Sequence, residues 1–161
     1  MPAPRPRKRP RKPVPVFVSY AHKDPRRCDE LREHLSSLTR AGIIDVWWDG
    51  RIDPNIPWAT DIIQHLRKAK IVVLLVSARF LSSWYCNEIE VREAMKRHTA
   101  KKTTIVPVII GTCHYKPSPF YKFDPEPKKH GCVKGNRDRR DAAWTEVAEK
   151  LHALATRKKR R

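Results

Sequence analysis

Two glutamates, Glu88 and Glu90, follow within four residues of the run Trp84-Tyr85-Cys86 in residues 69–94, AKIVVLLVSARFLSSWYCNEIEVREA. Upstream of them, Ile71–Val76 is an unbroken apolar run rich in β-branched residues. It is too short to cross a membrane and reads as a strand covered on both faces, as in a parallel sheet. Residues 77–83 then read as a loop and 84–98 as a helix. In such sheets ligands bind beyond the carboxyl ends of the strands. Chemistry is therefore expected among these carboxylates, the aromatic pair, the thiol and the nearby serines. Metal chemistry is the competing option, because Cys113-His114 and His130-x-Cys132 carry four zinc-capable side chains. Adjacent ligands sit poorly around one tetrahedral ion, so no metal site is expected. Cys28, Cys86, Cys113 and Cys132 form no CxxC pair, and free thiols are the expectation.

The elements that must position these residues alternate strand and helix. Residues 14–18 (VPVFV) read as a first strand ending at Ser19-Tyr20. Asp24-Pro25 follows, an N-cap residue with proline at the first helical position. Cys28, Leu31, Leu35 and Leu38 then recur at helical spacing, and Gly42 closes that helix. Residues 43–48 read as a second strand, ending in Trp47-Trp48. Residues 49–57 (DGRIDPNIP) read as a loop, with Trp58, Ile62, Ile63 and Leu66 marking the next helix. A further strand spans 103–110, and Pro107 inside it points to a sheet edge or a local bulge. Residues 112–140 are irregular, with room for a short fifth strand. Asp141 is then placed to cap a helix carrying Trp144, Val147, Ala148, Leu151 and Leu154. Repeated strand–helix units imply a parallel sheet with helices on both faces.

Length and charge bound the rest. The 161 residues suffice for one domain with a real core. The formal charge of +18 is concentrated at the ends: residues 1–13 hold six Lys or Arg, residues 157–161 hold five, and neither segment holds an acid. Without these arms the remainder carries about +7. The expected organisation is a disordered basic arm (1–13), one folded domain (14–156) and a basic tail (157–161). The arms suit weak contact with nucleic acid or an anionic surface, or simple solubility. Nothing reads as a signal peptide or a transmembrane segment, so a cytoplasmic chain is expected.

VFVSYAHKD (16–24), VWWDGRIDPNIPW (46–58) and VVLLVSARFLSSWYCNEIE (72–90) occur in order, followed by IVPVII (105–110), YKPSPF (115–120) and AWTEVA (143–148). Together they resemble a Toll/interleukin-1 receptor (TIR) domain of the bacterial type, over roughly residues 14–156. The resemblance implies a flavodoxin-like three-layer sandwich around a five-stranded parallel sheet. Some TIR domains only self-associate; others cleave NAD at the nicotinamide–ribose bond, using a glutamate at the start of the helix after the third strand. That placement is physically sensible, because departing nicotinamide leaves an oxocarbenium-like ribose that a carboxylate stabilises.

Glu88 lies four residues after Trp84, as in relatives reading Trp-x-x-x-Glu. Glu90 lies four after Cys86, as in bacterial relatives reading Tyr-Cys-x-x-x-Glu-x-x-x-Ala. Residues two apart on a helix point to different sides, and the register favours Glu90. The resemblance further implies a pocket lined by Ser19 and Tyr20, Trp48, Asp49 and Ile52, and by Ser77, Trp84, Tyr85 and Cys86. Trp47, alternating with Trp48, reads as packing. The family's usual Pro-Gly pair in the loop has Asn55 in place of glycine, a residue that also tolerates a left-handed backbone.

The reading that follows is a TIR NAD glycohydrolase, hydrolysing or cyclising NAD as substrate with no separate cofactor, in immune, antiviral or stress signalling. The alternative is a non-catalytic scaffold assembling through homotypic TIR contacts or with another signalling protein. A third reading makes the basic arms primary and the chain a nucleic-acid binder.

Overall fold

Every residue of Ile71–Val76 is buried, and this strand is the axis of the domain. The computed structural model describes residues 11–49, 58–83 and 88–157, and at 58–59 and 88–89 the backbone alone. In chain order the elements are β1 (Val14–Ser19), α1 (Pro25–Arg40), β2 (Ile44–Trp47), α2 (Trp58–Lys68), β3 (Ile71–Val76), α3 (Ala78–Ser83), α4 (Glu88–Thr99), β4 (Thr104–Ile109) and α5 (Arg137–Thr156). All strand pairs are parallel and the order is β2-β1-β3-β4. Alternate residues of the strands serve two cores. Val16, Val18, Val73 and Leu75 pack with Leu31 and Leu35 of α1 and Trp144, Val147 and Leu151 of α5. Phe17, Val72, Leu74 and Val76 pack with Ile62 and Leu66 of α2, Phe80 of α3, and Val91 and Ala94 of α4. The result is the three-layer sandwich expected from the sequence.

Four differences have local physical causes. The described residues form four strands, not five. Where a fifth would lie beyond β4, Glu126 alone bridges Val108: its N–H donates to the Pro107 carbonyl at 2.8 Å and its carbonyl accepts from the Ile109 N–H at 2.9 Å. Prolines 125 and 127 flank it and supply no N–H to extend a ladder. Pro107 itself lies in β4 at the margin of the four-stranded sheet, as its missing donor requires.

Residues 78–83 are a helix, not a loop. Ser77 Oγ accepts from the Phe80 N–H at 3.0 Å, and Phe80 is driven fully into the core. Asp24 does not cap α1 with its side chain. Its carboxylate instead accepts from Ser77 Oγ at 2.6 Å and from the Arg79 guanidinium at 3.1 Å, tying the β1–α1 turn to the end of β3. Finally, α5 begins at Arg137 rather than at Asp141. Asn136 caps it, accepting from the Arg139 N–H at 3.0 Å, and Asp141 pairs with His34 and Arg137 instead.

Gly42 ends α1 as the spacing predicts. Its φ is +70°, and the Gly42 and Ile43 N–H groups donate to Thr39 and Leu38 carbonyls at 3.1 and 3.0 Å, a Schellman closure. A Cβ at this position would meet nothing within 4 Å, so substitution tests the backbone alone. Gly42→Ala is expected to cost about 1 kcal/mol, read as a lower urea midpoint at unchanged slope; an unchanged midpoint would refute the assignment.

Candidate active site

At the carboxyl end of β1, Ser19 Oγ donates to Glu90 Oε2 at 2.9 Å. β1 brings Ser19 there buried, and α4 carries Glu90 across the sheet end towards it. Asp49, just past β2, closes the third side. Its carboxylate lies 3.2 Å from His22 Nδ1 and accepts the hydroxyl of Tyr20. Phe17, Val18 and Trp47 complete the walls. Trp47 stacks on Phe17, with centroids 5.1 Å apart, and on His65, at 4.6 Å, so its ring is committed to packing within the protein. His65 is held in turn by Asp61 at 3.2 Å. The Trp47 indole N–H is buried with no acceptor among the described residues. Such a donor costs free energy unless something completes it.

Glu90 is the unusual acid here. Burial pushes its pKa up to about 7, and the negative charge of Asp49 adds to the shift; the Ser19 hydrogen bond and His22 oppose it. Tyr20 is driven far above the usual phenol range by burial and then by Asp49, so it remains a neutral donor. A half-buried carboxylate that ionises near neutrality, beside a second carboxylate and fixed donors, suits the stabilisation of a developing cation.

The recess bounded by these residues encloses about 10 Å³ open to the centre of a water molecule. That is room for one water. An aromatic ring is larger than this opening.

Of the residues expected in a pocket, the structure brings Ser19, Tyr20, Asp49 and Glu90 together. Trp48 is not among them, which corrects its expected placement. It packs on the α1 side of the sheet beneath the Arg32 guanidinium, 3.5 Å from its ring centroid, and Trp47 takes the recess wall instead. Alternation along β2 separates the two, but sequence alone did not say which face α4 would cover. Ser77 is likewise turned away, committed to Asp24 and to the start of α3. Ile52, Trp84, Tyr85 and Cys86 lie outside the described residues, as does the side chain of Glu88. His22 was not foreseen; it stands two residues past the β1 terminus, where its contact with Asp49 has no sequence signature.

The sequence model of the TIR domain matches residues 16–151. The chain belongs to the TIR domain family. This TIR domain is 35% identical over 142 residues to the uncharacterized protein y4lF of Sinorhizobium fredii (strain NBRC 101917 / NGR234), across 88% of the chain. The match spans 44% of that relative's length, so the chain covers less than half of it. Among solved structures, it is similar to the TIR domain of the Toll-related receptor TRR-2 of Hydra magnipapillata, with a TM-score of 0.56, 17% identity, and coverage of 86% of this chain and 98% of that one. It is also similar to the TIR domains of the activated Roq1 resistosome directly recognizing the pathogen effector XopQ. There the TM-score is 0.52, identity is 20%, and coverage is 83% of this chain and 82% of that one. At these identities the two structures speak for the fold. Among the described residues no helix is long and apolar enough to cross a membrane, and no group of three or more His, Cys, Asp or Glu is placed to hold a metal ion.

Proposed function

We propose that this TIR domain cleaves NAD at the nicotinamide–ribose bond, with Glu90 as the carboxylate that faces the reacting ribose. The observation that carries the reading is the Ser19–Glu90–Asp49 cluster at the sheet end, with Glu90 ionising near pH 7. The bond electrons leave with nicotinamide, and the ribose becomes an oxocarbenium-like cation. Glu90 stabilises that charge, and Asp49 deepens the negative potential. Water then adds to the ribose carbon and releases a proton, giving ADP-ribose; capture by another nucleophile of the same molecule gives a cyclic product. Trp47, stacked on Phe17 and His65, offers its N–H, which has no acceptor among the described residues.

The test is nicotinamide release from NAD by concentrated protein, followed by chromatography from pH 5.5 to 8.5. The ionised carboxylate is the working form, so the rate rises with pH and reaches half its maximum near 7. Ser19→Ala removes the bond that favours the charged form and moves that midpoint to higher pH. A flat profile from pH 5.5 to 8.5 would remove Glu90 from the reaction.

One observation favours a second reading, a non-catalytic scaffold that assembles through copies of itself: the recess has room for only a single water. Both readings meet if assembly opens the recess. Release that rises steeply with protein concentration or a crowding agent supports the enzyme. No release under any assembling condition supports the scaffold.

A further inference from the structure

On the other side of the β1–α1 turn from the Glu90 recess lies a much larger opening, of about 490 Å³ by the same measure. Ser19 and Tyr20 line the recess, whereas Lys23 and Asp24 line this cleft. Its walls carry five cationic side chains, Lys23, Arg26, Arg27, Arg79 and Arg140, against two carboxylates, Asp24 and Glu30.

Those carboxylates anchor the walls. Asp24 is occupied by Ser77 and Arg79. Glu30 is buried and accepts from Trp144 Nε1 at 2.8 Å, Arg27 at 2.9 Å and Arg140 Nε at 3.1 Å. Two guanidiniums are thereby fixed in place, with further N–H groups uncommitted among the described residues. Lys23 and Arg26 are exposed and have no side-chain partner among the described residues, so their charge faces the opening uncompensated.

Topology adds an independent argument. In the order β2-β1-β3-β4 the chain leaves β1 to one side for β2 and places β3 on the other. The crevice between the carboxyl ends of β1 and β3 is therefore the switch point at which open α/β sheets bind ligands. Lys23, Arg26 and Arg27 follow β1, and Arg79 follows β3.

We propose that this cleft binds a phosphate or diphosphate group carried by a small-molecule ligand. Guanidinium forks match phosphate oxygens in pairs, and an ammonium supplies a further point charge. The volume exceeds what a lone inorganic ion needs.

The test titrates the full chain calorimetrically with inorganic pyrophosphate and with phosphate in about 100 mM salt, roughly one Debye length of 10 Å. The expected result is saturable one-to-one pyrophosphate binding, weakened about tenfold or more in Lys23→Ala/Arg26→Ala. These two exposed side chains hold nothing else among the described residues, and circular dichroism checks that the variant folds. The source of the phosphate is read in Glu90→Gln protein. If NAD displaces pyrophosphate, the cleft holds the diphosphate of the same ligand that reaches Glu90. If saturating NAD leaves pyrophosphate bound, the cleft serves a separate phosphorylated ligand. Unsaturable heats, or equal binding by the double variant, overturn the proposal and assign the anion to the general excess of charge on a chain of +18.

Discussion

Glu90→Gln is expected to reduce nicotinamide release from NAD by at least about a hundredfold, the scale on which removal of one preorganised electrostatic group acts. The same substitution is expected to make the domain more stable in mildly alkaline solution. A carboxyl whose folded pKa stands near 7, against an ordinary 4.5, holds its proton more tightly in the native state than in the unfolded chain. Folding stability is therefore lost as pH rises from about 4.5 to about 7. By pH 8 the penalty is nearly fully present, at most about 3–4 kcal/mol. Gln carries no charge to desolvate and still reaches Ser19. Glu90→Gln should thus melt higher than the parent at pH 8, by several degrees, and match it near pH 4. Loss of activity with a higher melting temperature is the signature of a strained functional acid. A variant that is inactive but less stable at pH 8 would mark Glu90 as a structural group. Glu88→Gln, run in parallel, is expected to retain release; its loss would transfer the role to the other register.

The second large effect concerns Trp144. Among the described residues it is the largest fully buried side chain, and its indole N–H donates to the buried Glu30 at 2.8 Å. Trp144→Ala is expected to cost about 3–5 kcal/mol from lost burial and the residual cavity, on a domain whose whole stability is of order 5–15 kcal/mol. Glu30 would keep Arg27 and Arg140 but lose the donor that points into the core. Trp144→Phe separates the contributions: it retains most of the ring and forfeits the bond, at about 1.5–3 kcal/mol for a donor to a charged group. Urea unfolding reads both. A cost below about 1 kcal/mol for the alanine variant would mean that the core between α1 and α5 collapses around the gap.

Much of the architecture was legible because burial leaves a plain trace in composition. Ile71–Val76 could hardly be anything but a strand covered on both faces, and Leu31, Leu35 and Leu38 spelled the inner face of α1. What escaped depended on single polar side chains choosing distant partners. Ala78–Ser83 reads as a loop until Ser77 is seen holding the Phe80 N–H. Asp24 has every local credential of a helix cap, yet spends its carboxylate on Ser77 and Arg79, more than fifty positions away. The fifth strand shrank to one bridge because two prolines bracket Glu126. In the site, motif order located Ser19, Tyr20, Asp49 and Glu90, while the choice between Trp47 and Trp48 turned on which face α4 packs against. That is tertiary information, absent from two adjacent identical letters.

The lone bridge at Glu126 also bears on how copies of this domain can meet. An uncovered strand margin is a template onto which another chain can add, and it is the usual route to runaway stacking. Here one margin is sealed by a Pro-Glu-Pro clamp, with Pro107 behind it offering no donor. The opposite margin, β2, is only four residues long and shows an exposed Asp45 to solvent. Among the described residues, the β4 margin is the one whose free backbone groups are seen to be taken. At the β4 margin, a strand added from a second copy would find the Pro107 carbonyl and the Ile109 N–H already taken by Glu126.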